Sequence, residues 1–321
     1  MTVTAGPGLR VGGRDEPVPA SAPPGGAALA VPRARSVAEA LLAPAIGGPT
    51  TEELERLRAE LGRDLQAVAG DLPGRGGLRL DTFRMRLARR HPEACLLGDE
   101  PFTPSPRACR RAVGSAAVRA CVRGRAGAPA AAVAEVLAAG AAEADVPGAG
   151  APWWASWYTG LSAAARAVVH AEALSWATAV FGAVDWTSLP RVPVIGGTDD
   201  WWSCPGPRPV VLRGRVDVGV PDGRRLAFLV VGSGHCPDDW RAELGFPGLV
   251  GALARSAEAA PSRVVGVWPD SGQWRVLDLD IATLRAAAVA VVSAAATWVD
   301  ACLERAQPGH RPGGRGPAGR D

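Results

Sequence analysis

Asp217 is the acidic residue whose surroundings best suit chemistry, because a carboxylate on a strand is a potential ligand for Mg²⁺. It lies in a run of alternating apolar and polar residues, 212–220, which predicts a half-buried strand. A Pro-Asp-Gly turn at 221–223 and an apolar run at 226–231 follow, and they predict a hairpin with a buried second strand. Asp217 is therefore expected on a hairpin at the edge of the core.

At these residues the chain resembles the RecB-like branch of the PD-(D/E)XK nuclease superfamily, over roughly residues 160–300. The run Gly-Arg-Val-Asp at 214–217 is similar to the Gly-x-x-Asp strand of that family. The next strand of the family ends in acid-x-Lys followed by Thr-Gly. Aligning the Ser-Gly pair at 233–234 with Thr-Gly places Val230 at the acid and Gly232 at the lysine, and the chain contains no lysine at all. The resemblance implies a nuclease fold with a degenerate catalytic site.

An active nuclease needs several carboxylates around Mg²⁺, and only Asp217 is placed for that role. Arg215, two residues away on the same predicted strand face, favours an ion pair with Asp217 instead. In the alternative of a migrated site, Glu243 and Arg241 on the following helix would be catalytic together with Asp217. The family often has a metal-binding histidine on the helix before its sheet, so the resemblance makes His170 a candidate ligand; a hydrogen-bonded structural histidine is the other interpretation. No cofactor is expected unless the protein is active, in which case it is Mg²⁺.

Arginine is concentrated between residues 75 and 125, where twelve arginines accompany four acidic residues. The whole chain has a net charge of only +3, so its remainder is net acidic. On the helix predicted to begin after Ser105, arginines recur at multiples of four residues and could follow a phosphate backbone; a solvated helix face is the alternative. The candidate nucleic-acid-binding residues are Arg107, Arg110, Arg111, Arg119 and Arg123 on this helix, with Arg213 and Arg215 on the hairpin.

Composition divides the chain into four parts. Residues 1–35 are rich in Gly, Pro and Ala and are predicted to be a disordered tail; 306–321 are predicted to be a disordered basic tail. Between them we predict an Arg-rich helical region, 36–150, and a RecB-like nuclease-fold domain, 151–305. The predicted fold class is α/β (α+β), a restriction-endonuclease-like mixed sheet flanked by helices and preceded by an α-helical region.

The longest apolar stretch, 286–299, is shorter than the roughly 20 residues that span a bilayer, and the amino-terminal residues lack the apolar core of a signal peptide. The sequence therefore predicts no membrane span and a cytoplasmic location. Six cysteines without a Cys-x-x-Cys pair are predicted to be reduced thiols rather than ligands of a zinc ribbon or an iron–sulfur cluster.

The sequence favours a pseudoenzyme, a catalytically degenerate RecB-like protein that binds nucleic acid or acts as a scaffold in DNA repair or processing. DNA and a helicase or another repair protein are its expected partners. Two alternatives stay open. One is an active Mg²⁺-dependent deoxyribonuclease with a migrated site, and the other is a protein-interaction subunit that does not bind nucleic acid.

Overall fold

The computed structural model describes residues 36–44, 47–73, 76–97, 104–124, 128–144, 151–186, 188–189, 195–196, 199–222 and 225–307. Both predicted tails fall almost wholly outside these residues. The elements are α1 (Val37–Leu42), α2 (Thr51–Gly70), β1 (Leu78–Asp81), α3 (Thr82–Arg90), α4 (Pro106–Val122), α5 (Pro129–Ala144), α6 (Trp153–Thr159), α7 (Ala163–Gly182), β2 (Ile195–Gly196), β3 (Asp199–Cys204), β4 (Val210–Arg215), β5 (Val218–Asp222), β6 (Arg225–Val231), α8 (Trp240–Leu253), β7 (Pro261–Trp268), β8 (Gln273–Asp278) and α9 (Ile281–Ala306).

The strands form two mixed sheets, and the α+β class is confirmed. In the first sheet, with strand order β1-β4-β3, β1 runs parallel and β3 antiparallel to β4. In the second sheet, with order β2-β5-β6-β7-β8, β6 and β7 are parallel and joined by the crossover helix α8, while the other neighbours are antiparallel. Sequence patterns predicted one small sheet, and they did not predict β1 or β3.

The run 212–220, expected as one strand, is divided between the two sheets. β4 ends at Arg215 and β5 begins at Val218, so the chain changes sheets at residues 216 and 217. Leu212 packs in a first core cluster, whereas Val218 packs in a second. The expectation that alternate residues of this run share one buried face was therefore wrong, because alternation is maintained only within a continuous strand.

The second sheet lies between the two core clusters. Phe228 on β6 belongs to the first cluster, which it shares with residues of α2, α3, α8 and α9; its neighbour Leu229 belongs to the second, with residues of α1, α4, α5, α6 and α7. Each cluster contains residues from before and after residue 150. The Pro-Gly-Ala-Gly-Ala-Pro run at 147–152 predicts a linker, but residues 147–150 lie outside the described residues, and the division at 150 stays a prediction.

Gly245, Pro247 and Gly248 predict that the helix over 239–255 is kinked or split, but α8 is not split. It continues through Pro247, and every residue of 243–253 is buried. A Cβ on Gly248 would lie 2.8 Å from the Leu279 side chain, and one on Gly251 would lie 2.4 Å from Phe228. The glycines therefore bring the helix close to the sheet, and this packing compensates for the hydrogen bond that proline cannot donate.

Local signals at helix starts are confirmed. Thr50 and Glu53 form the predicted capping box of α2, Ser105 caps α4, and Asp280 caps α9. The 26 residues of α9 make it long and apolar enough to cross a membrane by length and composition; 44% of its most apolar 18-residue window is buried inside the protein. The prediction that the chain has no membrane span stays a prediction.

Candidate functional site

Asp217 lies where the chain passes from the first sheet to the second, and it is only 9% exposed. Its backbone N–H donates to the carbonyl oxygen of Leu229 over 3.0 Å, and its Oδ2 accepts from the N–H of Val231 over 2.8 Å. The carboxylate is thus bound to the carboxyl end of β6. Val230 and Gly232, which the resemblance aligns with the missing acid and lysine, flank the same peptide groups.

Arg111 reaches the same strand end from α4. Its Nη2 donates to the carbonyl oxygen of Val231 over 2.9 Å. Burial lowers the pKa of Arg111, and the Asp217 carboxylate opposes this by raising it. Arg111 and Asp217 therefore bind the C=O and the N–H of one residue, Val231, with opposite charges. Val231 lies between the two positions that the resemblance aligns with the family's acid and lysine, and the Asp217 carboxylate and the Arg111 guanidinium bind it there.

The ion pair expected between Arg215 and Asp217 is not among the contacts of the carboxylate. Arg215 is exposed at the end of β4, and Arg213 lies with its guanidinium 4.8 Å from the ring centre of Trp201. Residues i and i+2 share a face only in a continuous strand, and β4 ends between Arg215 and Asp217.

The backbone at Gly232 leaves no room for a side chain. A Cβ built there would lie 2.2 Å from Nε1 of Trp268, and Trp268 is 2% exposed at the end of the adjacent strand β7. Val230, at the other position, is half-buried and packs against the first core cluster. The position aligned with the family's lysine is therefore filled by an indole from a neighbouring strand.

Glu243 belongs to a charge cluster that joins α3 to the start of α8. It is 8% exposed and binds both Arg86 and Arg90, with 2.9 Å between Arg90 Nη2 and Glu243 Oε2. Asp239, one turn earlier, binds Arg89 and Arg90. Three guanidiniums thus surround two carboxylates. The sequence contains a signal for this cluster, because the arginines at 86, 89 and 90 share one helix face and the acidic residues at 239 and 243 are one helical turn apart.

The migrated catalytic site expected from Asp217, Glu243 and Arg241 is not assembled as one set. Arg241 is exposed, with its guanidinium 4.9 Å from the ring centre of Trp240, whereas Glu243 points into the protein towards α3. Arg241 and Glu243 are two residues apart on α8, which separates their side chains by about 200° around the helix axis. The two side chains therefore face different surroundings.

His170 lies half-buried on α7, beside the buried stripe rather than in it. Helical spacing predicts that His170 shares a packing face with Ala167, Leu174, Ala177 and Phe181. In the structure Ala167 is exposed, and the buried face consists of Val169, Ala173, Trp176, Ala177 and Val180. Within the part of the chain that the structure describes, no three or more His, Cys, Asp or Glu side chains are grouped so that they could hold a metal ion. His170 and Asp217 are therefore not brought together with further ligands.

The surroundings of Asp217 do not fit Mg²⁺. The adjoining cavity has a volume of about 10 Å³, room for one water-sized group, and is lined by Asp217, Ser115, Arg119 and Trp176 with four valines. Mg²⁺ needs six oxygen ligands and usually keeps several waters. A single carboxylate that already accepts a backbone hydrogen bond beside Arg111 offers neither the ligands nor the space.

The remaining candidate arginines lie in varied surroundings. Arg107 and Arg123 are exposed at the two ends of the α4 stripe, Arg119 lines the cavity near Asp217, and Arg110 is half-buried. Of the four stripe arginines, only the two at its ends are exposed. A stripe that drifts around a helix axis can place some members inside, and Arg111 is such a member.

No protein-family model matches this chain, and no curated protein is significantly similar to it.

Proposed function

We propose that this protein is a catalytically inactive, RecB-like nuclease-fold protein that binds nucleic acid. One observation carries the loss of catalysis: the Trp268 indole fills the space at Gly232, so no side chain fits at the position that the resemblance aligns with the family's lysine. The strands of the second sheet and their helices follow the order α7, β2, β5, β6, α8, β7, β8 and α9, and β6 is parallel to β7, which supports the nuclease-like fold. A pseudoenzyme is the function that this arrangement supports best.

The contacts of the two remaining acidic candidates support the same proposal. Asp217 is bound by the backbone of Val231, and Glu243 is neutralised by Arg86 and Arg90. A guanidinium beside a carboxylate also lowers its affinity for a dication. We expect no cleavage of linear, circular or single-stranded DNA by the purified protein with Mg²⁺ or Mn²⁺. Cleavage that disappears in Asp217→Ala would instead establish an active nuclease.

Nucleic-acid binding is proposed from the exposed arginines, because each phosphate contact releases a counterion and strengthens association at low salt. The test is a salt titration of binding to single- and double-stranded DNA, with and without Mg²⁺. Replacing Arg107 and Arg123 by alanine should lower affinity and flatten the salt slope by about 0.7–0.9 for each lost phosphate contact. The matched control replaces Arg275 and Arg285, which are exposed outside the stripe. Equal effects of both double variants would refute a role for the stripe.

A second candidate, a protein-interaction scaffold, is favoured by one observation. Much of the positive charge between residues 75 and 125 is engaged in ion pairs and hydrogen bonds within the protein. The arginines with such partners are Arg86, Arg89, Arg90 and Arg111. Wild type that binds neither form of DNA at low salt would support the scaffold and contradict our proposal. Partnership with a helicase or another repair protein, and a cytoplasmic location, stay predictions.

A further inference from the structure

The three-stranded first sheet has one buried face and one open face. Leu80 on β1 and Leu212 on β4 are fully buried in the first core cluster. The residues that alternate with them along the strands point away from that core, and they include charged side chains and one large aromatic ring. We define the open face by four of these residues: Arg79 on β1, Arg213 and Arg215 on β4, and Trp201 on β3.

Trp201 is the aromatic ring of this face and is 46% exposed. The guanidinium carbons of Arg79 and Arg213 lie 5.0 Å and 4.8 Å from the centre of its ring. The next residue, Trp202, points the other way and packs against the first core cluster. The outward indole therefore contributes little to the core, although an exposed tryptophan costs solubility. An aromatic ring with two cations beside it is suited to a ligand that offers a flat π-system and negative charge.

The register of the sheet brings these cations onto one surface. Trp201 pairs directly with Arg213, and Arg79 lies on the other neighbour of β4, next to the same strand. Asp81, the acidic residue opposite Arg213 on β1, already accepts the backbone N–H of Arg84 as the N-cap of α3. The register also places Asp199 opposite Arg215, so the open face has three arginines with two acidic residues, Asp81 and Asp199, on the neighbouring strands.

We propose that the open face binds a single-stranded segment of nucleic acid, with a base stacked on Trp201 and phosphates bound by Arg79, Arg213 and Arg215. The exposed Trp201 ring, with the guanidiniums of Arg79 and Arg213 5.0 Å and 4.8 Å from its centre, specifies this partner. A base offers its π-face to a protein ring when it is unpaired, which selects a single strand over a duplex. This inference rests on the proposed nucleic-acid binding and adds to the α4 stripe a second contact surface that selects single strands.

Stacking on Trp201 requires a guanidinium to leave the ring. An exposed cation–π contact is weaker than base–aromatic stacking, so the exchange favours the base. The displaced guanidinium remains within reach of the flanking phosphate. The open face therefore needs a side-chain rearrangement but no movement of its strands.

The experiment is fluorescence anisotropy with a labelled oligothymidylate and a labelled duplex, measured over a range of salt concentrations. Trp201→Ala should weaken single-strand binding about 5- to 150-fold, the range of one lost stacked base, and leave duplex binding unchanged. Trp201→Phe should retain most of the affinity. Trp153→Ala is the matched control, because Trp153 is 42% exposed on α6, outside the open face. Replacing Arg79 and Arg213 by alanine should flatten the single-strand salt slope by about 0.7 for each lost contact.

The outcomes separate this inference from the proposed function. If wild type binds DNA and Trp201→Ala binds the single strand equally tightly, the proposal for the open face is wrong, and the proposed nucleic-acid binding is unaffected. Equal losses for single strand and duplex would overturn stacking, because a general electrostatic surface makes no such distinction. Wild type that binds neither form would overturn both proposals. Unchanged melting temperatures of the variants would show that altered affinities do not come from unfolding.

Discussion

Replacing Asp217 by asparagine distinguishes a structural carboxylate from a metal ligand. The asparagine oxygen can still accept the Val231 N–H, but the negative charge beside buried Arg111 is lost. Hydrogen bonds to charged groups contribute about 1.5–3 kcal/mol and neutral ones about 0.5–1.5 kcal/mol. We therefore expect Asp217→Asn to lower the free energy of unfolding by about 1–2 kcal/mol. This exceeds the 0–1 kcal/mol or so that an exposed ion pair with Arg215 would have given.

A larger loss is expected for Asp217→Ala, because this change also leaves the buried N–H of Val231 without its acceptor. An unsatisfied buried donor costs about 1–3 kcal/mol, so the total should reach about 2–4 kcal/mol. A double-mutant cycle with Arg111→Met isolates the electrostatic part. If the two side chains act together on Val231, their coupling should be about 0.5 kcal/mol or more.

Urea unfolding followed by circular dichroism measures these free energies, and melting curves with and without millimolar Mg²⁺ test the metal. We expect the same destabilisation in both conditions and no Mg²⁺-dependent shift. A metal ligand would behave in the opposite way: the asparagine would relieve repulsion in the metal-free protein, and Mg²⁺ would stabilise wild type alone. That pattern would refute the structural role of Asp217.

Three further predictions concern packing and burial. Gly232→Ala should cost about 1–3 kcal/mol of stability in urea unfolding, because its Cβ meets the Trp268 indole; a neutral result would contradict that contact. Glu243→Ala should cost about 1–3 kcal/mol, because its partly exposed arginine partners lose their counter-charge, and high salt should reduce the difference. Burial raises the pKa of the Cys109 thiol to about 11, so it should resist iodoacetamide at pH 8 in the native protein and react after unfolding. The contribution of the neutral Cys109 thiol to the free energy of unfolding is present below pH 9 and should be lost as the pH rises towards 11. A Cys109→Ala variant should lack this loss of stability.

The sequence by itself determined most of the elements between residues 129 and 306. Periodicity and capping residues predict helices over 129–144, 162–181, 239–255 and 281–303, and strands over 226–231, 263–268 and 274–279. The helices α5, α7, α8 and α9 and the strands β6, β7 and β8 begin and end within a few residues of these bounds. These elements were predictable because apolar periodicity, capping residues and turns act between neighbours in the chain. The hairpin of β5 and β6, which begins directly after Asp217, followed from the same local signals.

The tertiary structure alone decided what surrounds the candidate site. Periodicity could not show that the chain changes sheets before Asp217, since each half of the run 212–220 alternates correctly by itself. It could not show that Trp268 fills the space at Gly232 or that Arg111 binds the end of β6. Sequence spacing specifies which residues share a face of one element. Which element covers that face depends on contacts between distant segments, and the partner and protonation of a buried charge depend on those contacts in turn.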